Sequence, residues 1–291
     1  MPDLDPAALL AAYDTQLRGH PPDPLPVGWR VERDGPVVRQ FMGDGGGFVG
    51  YRSVADLPPD ELDALIARQR DVFAALGQQV EWKWHAHDRP ADLPDRLRAA
   101  GFAPEEPETV VVGLAEPLAA EPVRLPDGVR LRPVTERVDL DRIAALEGEV
   151  WSEERTWLAE GLAAELAAGP DRMTILVAEA GDTVVSAGWV RYMAGTDFAS
   201  LWGGATLERW RHQGIYRALV AARARLALDR GYGYLQVDAS DNSRPILQRL
   251  GFVALTVTVP YVFTPPARPD AAAAAADRPP AGGPADPASD R

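Results

Sequence analysis

Leu207-Glu208-Arg209-Trp210-Arg211-His212-Gln213-Gly214-Ile215-Tyr216-Arg217-Ala218-Leu219 joins a strand-like run to a strongly helical one through a basic turn that carries a glycine. Upstream, Ala199 to Leu207 reads as a strand; downstream, Ile215, Leu219, Ala222 and Leu226 recur on one helical face. A helix start leaves its first backbone N–H groups without partners inside the helix, and the aligned peptide dipoles add partial positive charge there. Strand, Arg-x-x-Gly, helix is therefore the layout of an anion cradle, with Gly214 letting the backbone come close to a phosphate.

Past the helix come a strand, Tyr234 to Ser240, and the segment Asp241-Asn242-Ser243-Arg244-Pro245-Ile246-Leu247-Gln248-Arg249-Leu250-Gly251-Phe252. Cradle and segment together resemble the GNAT superfamily of N-acetyltransferases, whose Gln/Arg-x-x-Gly-x-Gly/Ala motif binds the pyrophosphate of acetyl-coenzyme A. Arg211, Gly214 and Tyr216 stand at its three defined positions. Tyr216 departs from it, because a large ring replaces the small residue expected near the phosphates. The resemblance implies an α/β (α+β) fold with a mixed, mostly antiparallel sheet flanked by helices. It implies acetyl-CoA as co-substrate and direct transfer of the acetyl group to an amine of a small molecule. Backbone groups near Gly204, Ala205, Thr206 and Leu207 would hold the pantetheine, and amides of Gln213, Gly214, Ile215, Tyr216 and Arg217 the pyrophosphate. Arg211 would add charge at that end, His212 lies in the cradle, and Asn242 belongs to the family's Asn-containing segment.

The same order of elements is legible earlier in the chain. Helix Pro59 to Leu76, strand Val80 to His87, a helix running into Gly101-Phe102 and the valine strand Thr109 to Leu114 are echoed by the cradle helix, strand Leu235 to Ala239, Gly251-Phe252 and strand Val253 to Val259. The first copy reads as degenerate: Val54 to Asp60 precedes its helix with carboxylates where phosphate would sit. The expected organisation is a degenerate GNAT-like domain over 1–120, an acetyl-CoA-binding GNAT domain over 121–264 and a disordered tail over 265–291 that includes Ala271 to Ala276. Ala115 to Pro122 reads as the linker, and Gly181-Asp182 as a hairpin turn.

Composition narrows the partners. The 291 residues, 46% of them hydrophobic, can fill a core, and the absence of cysteine excludes disulfides, thiolate catalysis and Cys-type zinc sites. A net charge of −13 disfavours nucleic acid and anionic membranes and tilts the substrate toward a cation. With no membrane-length apolar run and no signal-like opening, the expected location is the cytoplasm, as monomer or homodimer. His85 and His87 share one side of a strand with Lys83, the only lysine, and no metal is expected there.

Acetyl transfer needs a neutral amine and a proton for the leaving thiolate. The family often places a tyrosine where this chain has Leu247, so the proton donor falls to Ser243 or Tyr261, with Ser240 beside them. Glu147, Glu149 and Glu154 cluster where the first helices of the second half should line the cleft, with Asp197 before the cradle strand. Glu149 is the candidate base, and Trp151, Trp189 and Trp202 suggest an aromatic wall. A non-catalytic acyl-CoA-binding sensor or interaction module is the alternative, motivated by Tyr216, Leu247 and the degenerate first half.

Overall fold

A computed structural model describes residues 5–266 except 24, 44 and 45. The first half runs α1 (Pro6–Gln16), β1 (Arg30–Asp34), β2 (Val37–Phe41), β3 (Gly47–Tyr51), α2 (Pro59–Leu76), β4 (Val80–His85), α3 (Leu93–Ala99), the short β5 (Ala103–Pro104), β6 (Glu108–Leu114) and α4 (Ala115–Ala120). The second runs β7 (Val129–Val134), α5 (Arg137–Trp151), α6 (Thr156–Ala168), β8 (Met173–Ala180), β9 (Thr183–Tyr192), β10 (Phe198–Thr206), α7 (Ile215–Asp229), β11 (Tyr234–Ala239), α8 (Arg244–Arg249) and β12 (Val253–Phe263). Ala271 to Ala276 lie outside the described residues. Among those described, no helix is long and apolar enough to cross a membrane.

Local chemistry sets the ends of these elements. The Asp5 carboxylate caps α1 by accepting from the Ala7 N–H. Helix α2 opens with Pro59, Asp60 and Glu61, which suit its positive end, and stops at Gly77 in the left-handed region. Residues 115–120, read from sequence as linker, instead form α4. Leu118 and Ala119 are buried there, and Arg225 of α7 donates to the carbonyls of Ala119 and Glu121. Pro117 sits in the first turn of α4, where its missing N–H costs no helical bond.

All strands join one sheet in the order β1-β2-β3-β4-β12-β6-β11-β10-β9-β8-β7, with β5 beside β12. The pairing is antiparallel except at β3–β4 and β10–β11. The two halves exchange their last strands. β12, from the end of the second half, pairs with β4 of the first from Thr258↔His85 to Phe263↔Val80. β6, from the first half, pairs with β11 of the second from Tyr234↔Leu114 to Ala239↔Thr109. At the centre the exchanged strands pair with each other. Each half thus lacks a sheet neighbour that only the other supplies.

The two parallel pairs are short and then diverge. β10 and β11 are in register only from Phe198↔Tyr234 to Ser200↔Gln236, and β3 and β4 only from Gly47↔Val80 to Val49↔Trp82. Strand alternation then sorts the side chains. Leu235 and Ala239 are buried in the core shared with α7, whereas Gln236 and Asp238 line a cavity on the opposite face; on β4, Val80 and Trp82 enter the first-half core while Glu81, Lys83 and His85 line the same cavity.

Candidate active site

The cradle is built as its residue types require. Gly214 caps α7 at φ 85°, a left-handed conformation that penalises any side chain, and no side chain caps the helix start. The first-turn amides of α7 are therefore free donors at a positive helix end. A Cβ on Gly214 would meet only the Arg124 carbonyl at 3.5 Å, so conformation rather than crowding calls for glycine here. Arg211 is held by its Nε–H donating to the Thr206 carbonyl at 3.0 Å, and His212 sits at a positive φ of 62°. Arg217 forms an ion pair with Glu121 just beyond α4.

Ala205, Thr206, Arg211, His212, Gly214, Ile215, Tyr216, Arg217, Asn242 and Ser243 all line one cavity of about 2200 Å³. Leu207 and Gln213 do not. The Leu207 N–H is spent on the Val185 carbonyl and its side chain is buried, while the Gln213 amide side chain donates to the Arg209 carbonyl. Ser243 is engaged with Ser240 across the turn before α8. Tyr261 is the clearest correction: β12 carries it into the first-half core, where Arg98 lies over its ring, and it does not reach the cavity.

A bulge opens the site. The register of β10 against β9 shifts between Gly203 and Ala205, and Gly203 and Gly204 both have positive φ. A Cβ on Gly203 would strike the Trp189 ring at 2.5 Å, and one on Gly204 the Tyr216 ring at 2.8 Å. Tyr216 is thus turned against the glycine of the bulge, at the point where β10 leaves β11. Burial pushes its hydroxyl above the ordinary tyrosine range, and among the described residues that hydroxyl has no hydrogen-bond partner. Leu247, where the sequence lacks the expected tyrosine, is fully buried in the core on which Tyr216 packs. Arg223 fixes the bulge from below, donating to the carbonyls of Leu219, Trp189 and Trp202; burial without an acidic partner lowers its pKa to about 10.

Opposite the bulge, α5 and α6 supply the second wall. Glu147 is 4% exposed; its Oε2 accepts from the Trp151 Nε1–H at 2.8 Å and its Oε1 has no partner. Burial raises its pKa, against the pull of that hydrogen bond and of Arg155. Glu149, the residue favoured from sequence, points away: its side chain is 64% exposed beside Arg209. Glu154 is exposed, and Asp197 is tied to Gln16 of α1. Helical spacing carries the distinction, since Glu147 follows the buried Ile143 by four residues and Glu149 falls off that stripe. Sequence reasoning missed Trp157 and the Glu165–Arg191–Trp202 stack. The Arg191 guanidinium donates to both Glu165 oxygens and lies 4.5 Å above the Trp202 ring, and Trp151, Trp157 and Trp202 are all exposed along the cavity rim. Trp189 is buried beneath the bulge.

The cavity continues across the exchanged strands. Ser200 donates to Gln236, Gln236 to Asp238, and the Lys83 ammonium bridges Asp238 at 2.7 Å and Glu108 at 3.0 Å. Burial opposes the charge on Lys83, but Asp238, Glu108 and Glu81 outweigh it and raise its pKa. His85 and His87 are ties to α1: the His85 Nε2 meets the Tyr13 hydroxyl and the His87 Nε2 meets Asp14.

Residues 138–252 match the model of the acetyltransferase (GNAT) family. Solved structures similar to the chain extend the likeness beyond that segment. A GCN5-related N-acetyltransferase from Kribbella flavida is 16% identical, with 91% of this chain and 97% of that one covered at a TM-score of 0.64. A tandem GNAT protein from the clavulanic acid biosynthesis pathway is 16% identical, with 90% and 95% covered at 0.62. A conserved protein of unknown function from Staphylococcus epidermidis is 15% identical, with 84% and 97% covered at 0.59. At these identities the likeness is one of fold, and no curated protein matches the chain. Residues 138–252 thus match the GNAT acetyltransferase family, within a chain whose fold is similar, over most of its length, to that of a tandem GNAT protein.

Proposed function

We propose that the second half transfers an acetyl group from acetyl-CoA to the amine of a small molecule, in the opening between β10 and β11. The observation that carries this is the uncapped start of α7, held open by Gly214 beside that opening. The residues present fit the co-substrate: free first-turn amides and Arg211 match a pyrophosphate, and the bulge glycines leave backbone rather than side chain along the path inward. When bound, acetyl-CoA supplies the activated acetyl thioester. Glu147 accepts the proton of the incoming ammonium, being desolvated, unpartnered on Oε1 and directed at the same cavity. The Tyr216 hydroxyl, whose ring lies against the bulge, is the proton source and takes the place left by Leu247. Trp151, Trp157 and Trp202 offer aromatic faces to the cationic acceptor before it is deprotonated.

Calorimetry with acetyl-CoA, paired with thiol release over a panel of amines, tests the reading. Saturable binding and amine-dependent thiol release are expected. Binding with no release on any amine would point instead to an acyl-CoA sensor, and no binding at all would sink both.

A further inference from the structure

The cavity of about 2200 Å³ that holds the cradle also reaches well beyond it: it runs from α5 and α6 across the sheet to Trp29, Val31, Met42 and Phe48 of the first half. Its inner carboxylates fall into two classes. Glu165 is matched by Arg191, and Glu108 and Asp238 share Lys83. Glu147 and Glu81 belong to no ion pair among the described residues; the first is buried and the second half-buried. Glu147 is 4% exposed with a free Oε1; Glu81, on the cavity face of β4, accepts no hydrogen bond, since the one nearby ammonium is already held by its two other partners. Two carboxylates outside any ion pair, at two places along one cavity, suit a ligand with two positive charges.

We infer that the acceptor is an extended low-molecular-weight amine bearing a second cationic group, with its reacting nitrogen at Glu147 and its second cation at Glu81 in the first half. This rests on the acetyl-transfer reading above. Glu81 stands on β4, whereas Glu147 stands on α5, which packs against β9 and β10 on the far side of β11, so the ligand must reach past the Lys83–Asp238 bridge. Lys83 lies between them and disfavours a charge midway along the chain. Phe48, Val31 and Met42 line the far end and suit an alkyl body. The groups that face Glu81 are Lys83 on its own strand, Glu105 and Glu108 from the β5–β6 region and Asp238 from β11; His85 beside them is kept neutral by burial. Burial, reinforced by the three carboxylates and opposed by Lys83, raises Glu81 to about 7, so an arriving cation displaces a proton there.

The test uses α,ω-diaminoalkanes of increasing length, each matched to the n-alkylamine of the same length, titrated calorimetrically into the full chain saturated with CoA. At the spanning length the diamine should bind at least about tenfold more tightly than its monoamine. Glu81→Gln should erase that advantage while the affinities for monoamine and acetyl-CoA stay as they were. In wild-type protein near pH 7, buffers of different ionisation enthalpy should show more proton release for the diamine than for the monoamine, a reading that does not depend on the variant folding. Equal affinities within each matched pair, a diamine advantage that survives Glu81→Gln, or equal proton release would overturn the inference. Acetyl-CoA affinity in the same protein reports on the acetyl-transfer reading separately: intact acetyl-CoA binding and monoamine turnover with no diamine advantage removes only the dication.

Discussion

Two residues separate Glu147 from Glu149 on α5, and that offset, about 200° around a helix, puts one carboxylate in the cavity and the other in solvent. Replacing Glu147 by Gln is expected to lower kcat/KM by about 10²–10⁴, while Glu149→Gln changes it little. A base works only when deprotonated, and the Glu147 pKa is raised. Activity should therefore rise with pH through a limb above the ordinary glutamate range, and that limb should vanish in Glu147→Gln; a pH–rate profile of both proteins checks it. Tyr216→Phe removes the unpartnered hydroxyl at the bulge and should cost about 10–10² in kcat. In binding, wild type should prefer CoA over its desulfo analogue, and Tyr216→Phe should lose that preference if the hydroxyl serves the thiol as proposed. Among the features expected from sequence, the turn at Gly214 and the uncapped start of α7 were readable because they are local: a glycine and a helix start suffice. Tyr261 was not, since its place depends on which half β12 joins. The choice between Glu147 and Glu149 was available in the helical stripe and needed only to be weighed above the acidic clustering.

At the scale of elements, the cradle and the bulge are fixed from two points along α7, its start and its middle. Gly214 at its start holds a left-handed turn, so Gly214→Asp combines a strained backbone with a carboxylate at the anion position. Acetyl-CoA affinity should fall by at least about tenfold, with thermal unfolding shifted much less; unchanged affinity measured by calorimetry would mean the phosphates bind elsewhere. Arg223, two turns along, ties the carbonyls flanking the bulge to the helix. Arg223→Met keeps the bulk but leaves buried carbonyls unsatisfied, and about 1–3 kcal/mol of stability should be lost for such groups, read as a lower denaturant midpoint. The element order was legible from periodicity and turn residues, including the Gly181 hairpin. Helix α4 was not, because Ala115 to Ala120 has no capping side chain and is helical only through the face it buries on α7.

At the scale of the whole molecule, a boundary near residue 120 is the expectation from sequence, but the sheet passes across it three times, at β4–β12, β12–β6 and β6–β11. A chain ending at 252 loses β12 and exposes one edge each of β4 and β6. It is expected to be insoluble or molten by near-UV circular dichroism, where a simple string of two domains would leave the first half folded. The repeat of strand and helix was readable from sequence; the exchange was not, because β6 and β12 look alike as valine-rich runs and either could serve either half. Lys83, the only lysine, stands at this crossing and links residues from both halves.

The exchanged strands also set an order of events during synthesis. β4 leaves the ribosome early, yet its permanent neighbour ends at Phe263, so for the time taken to make some 170 further residues, roughly ten to thirty seconds at typical translation rates, the nascent first half carries an open β edge. The two prolines and three glutamates of residues 104–108, which follow α3 and border that gap, are residue types that discourage stray pairing at such an edge. The protein's vulnerability to aggregation is therefore greatest while it is still being made.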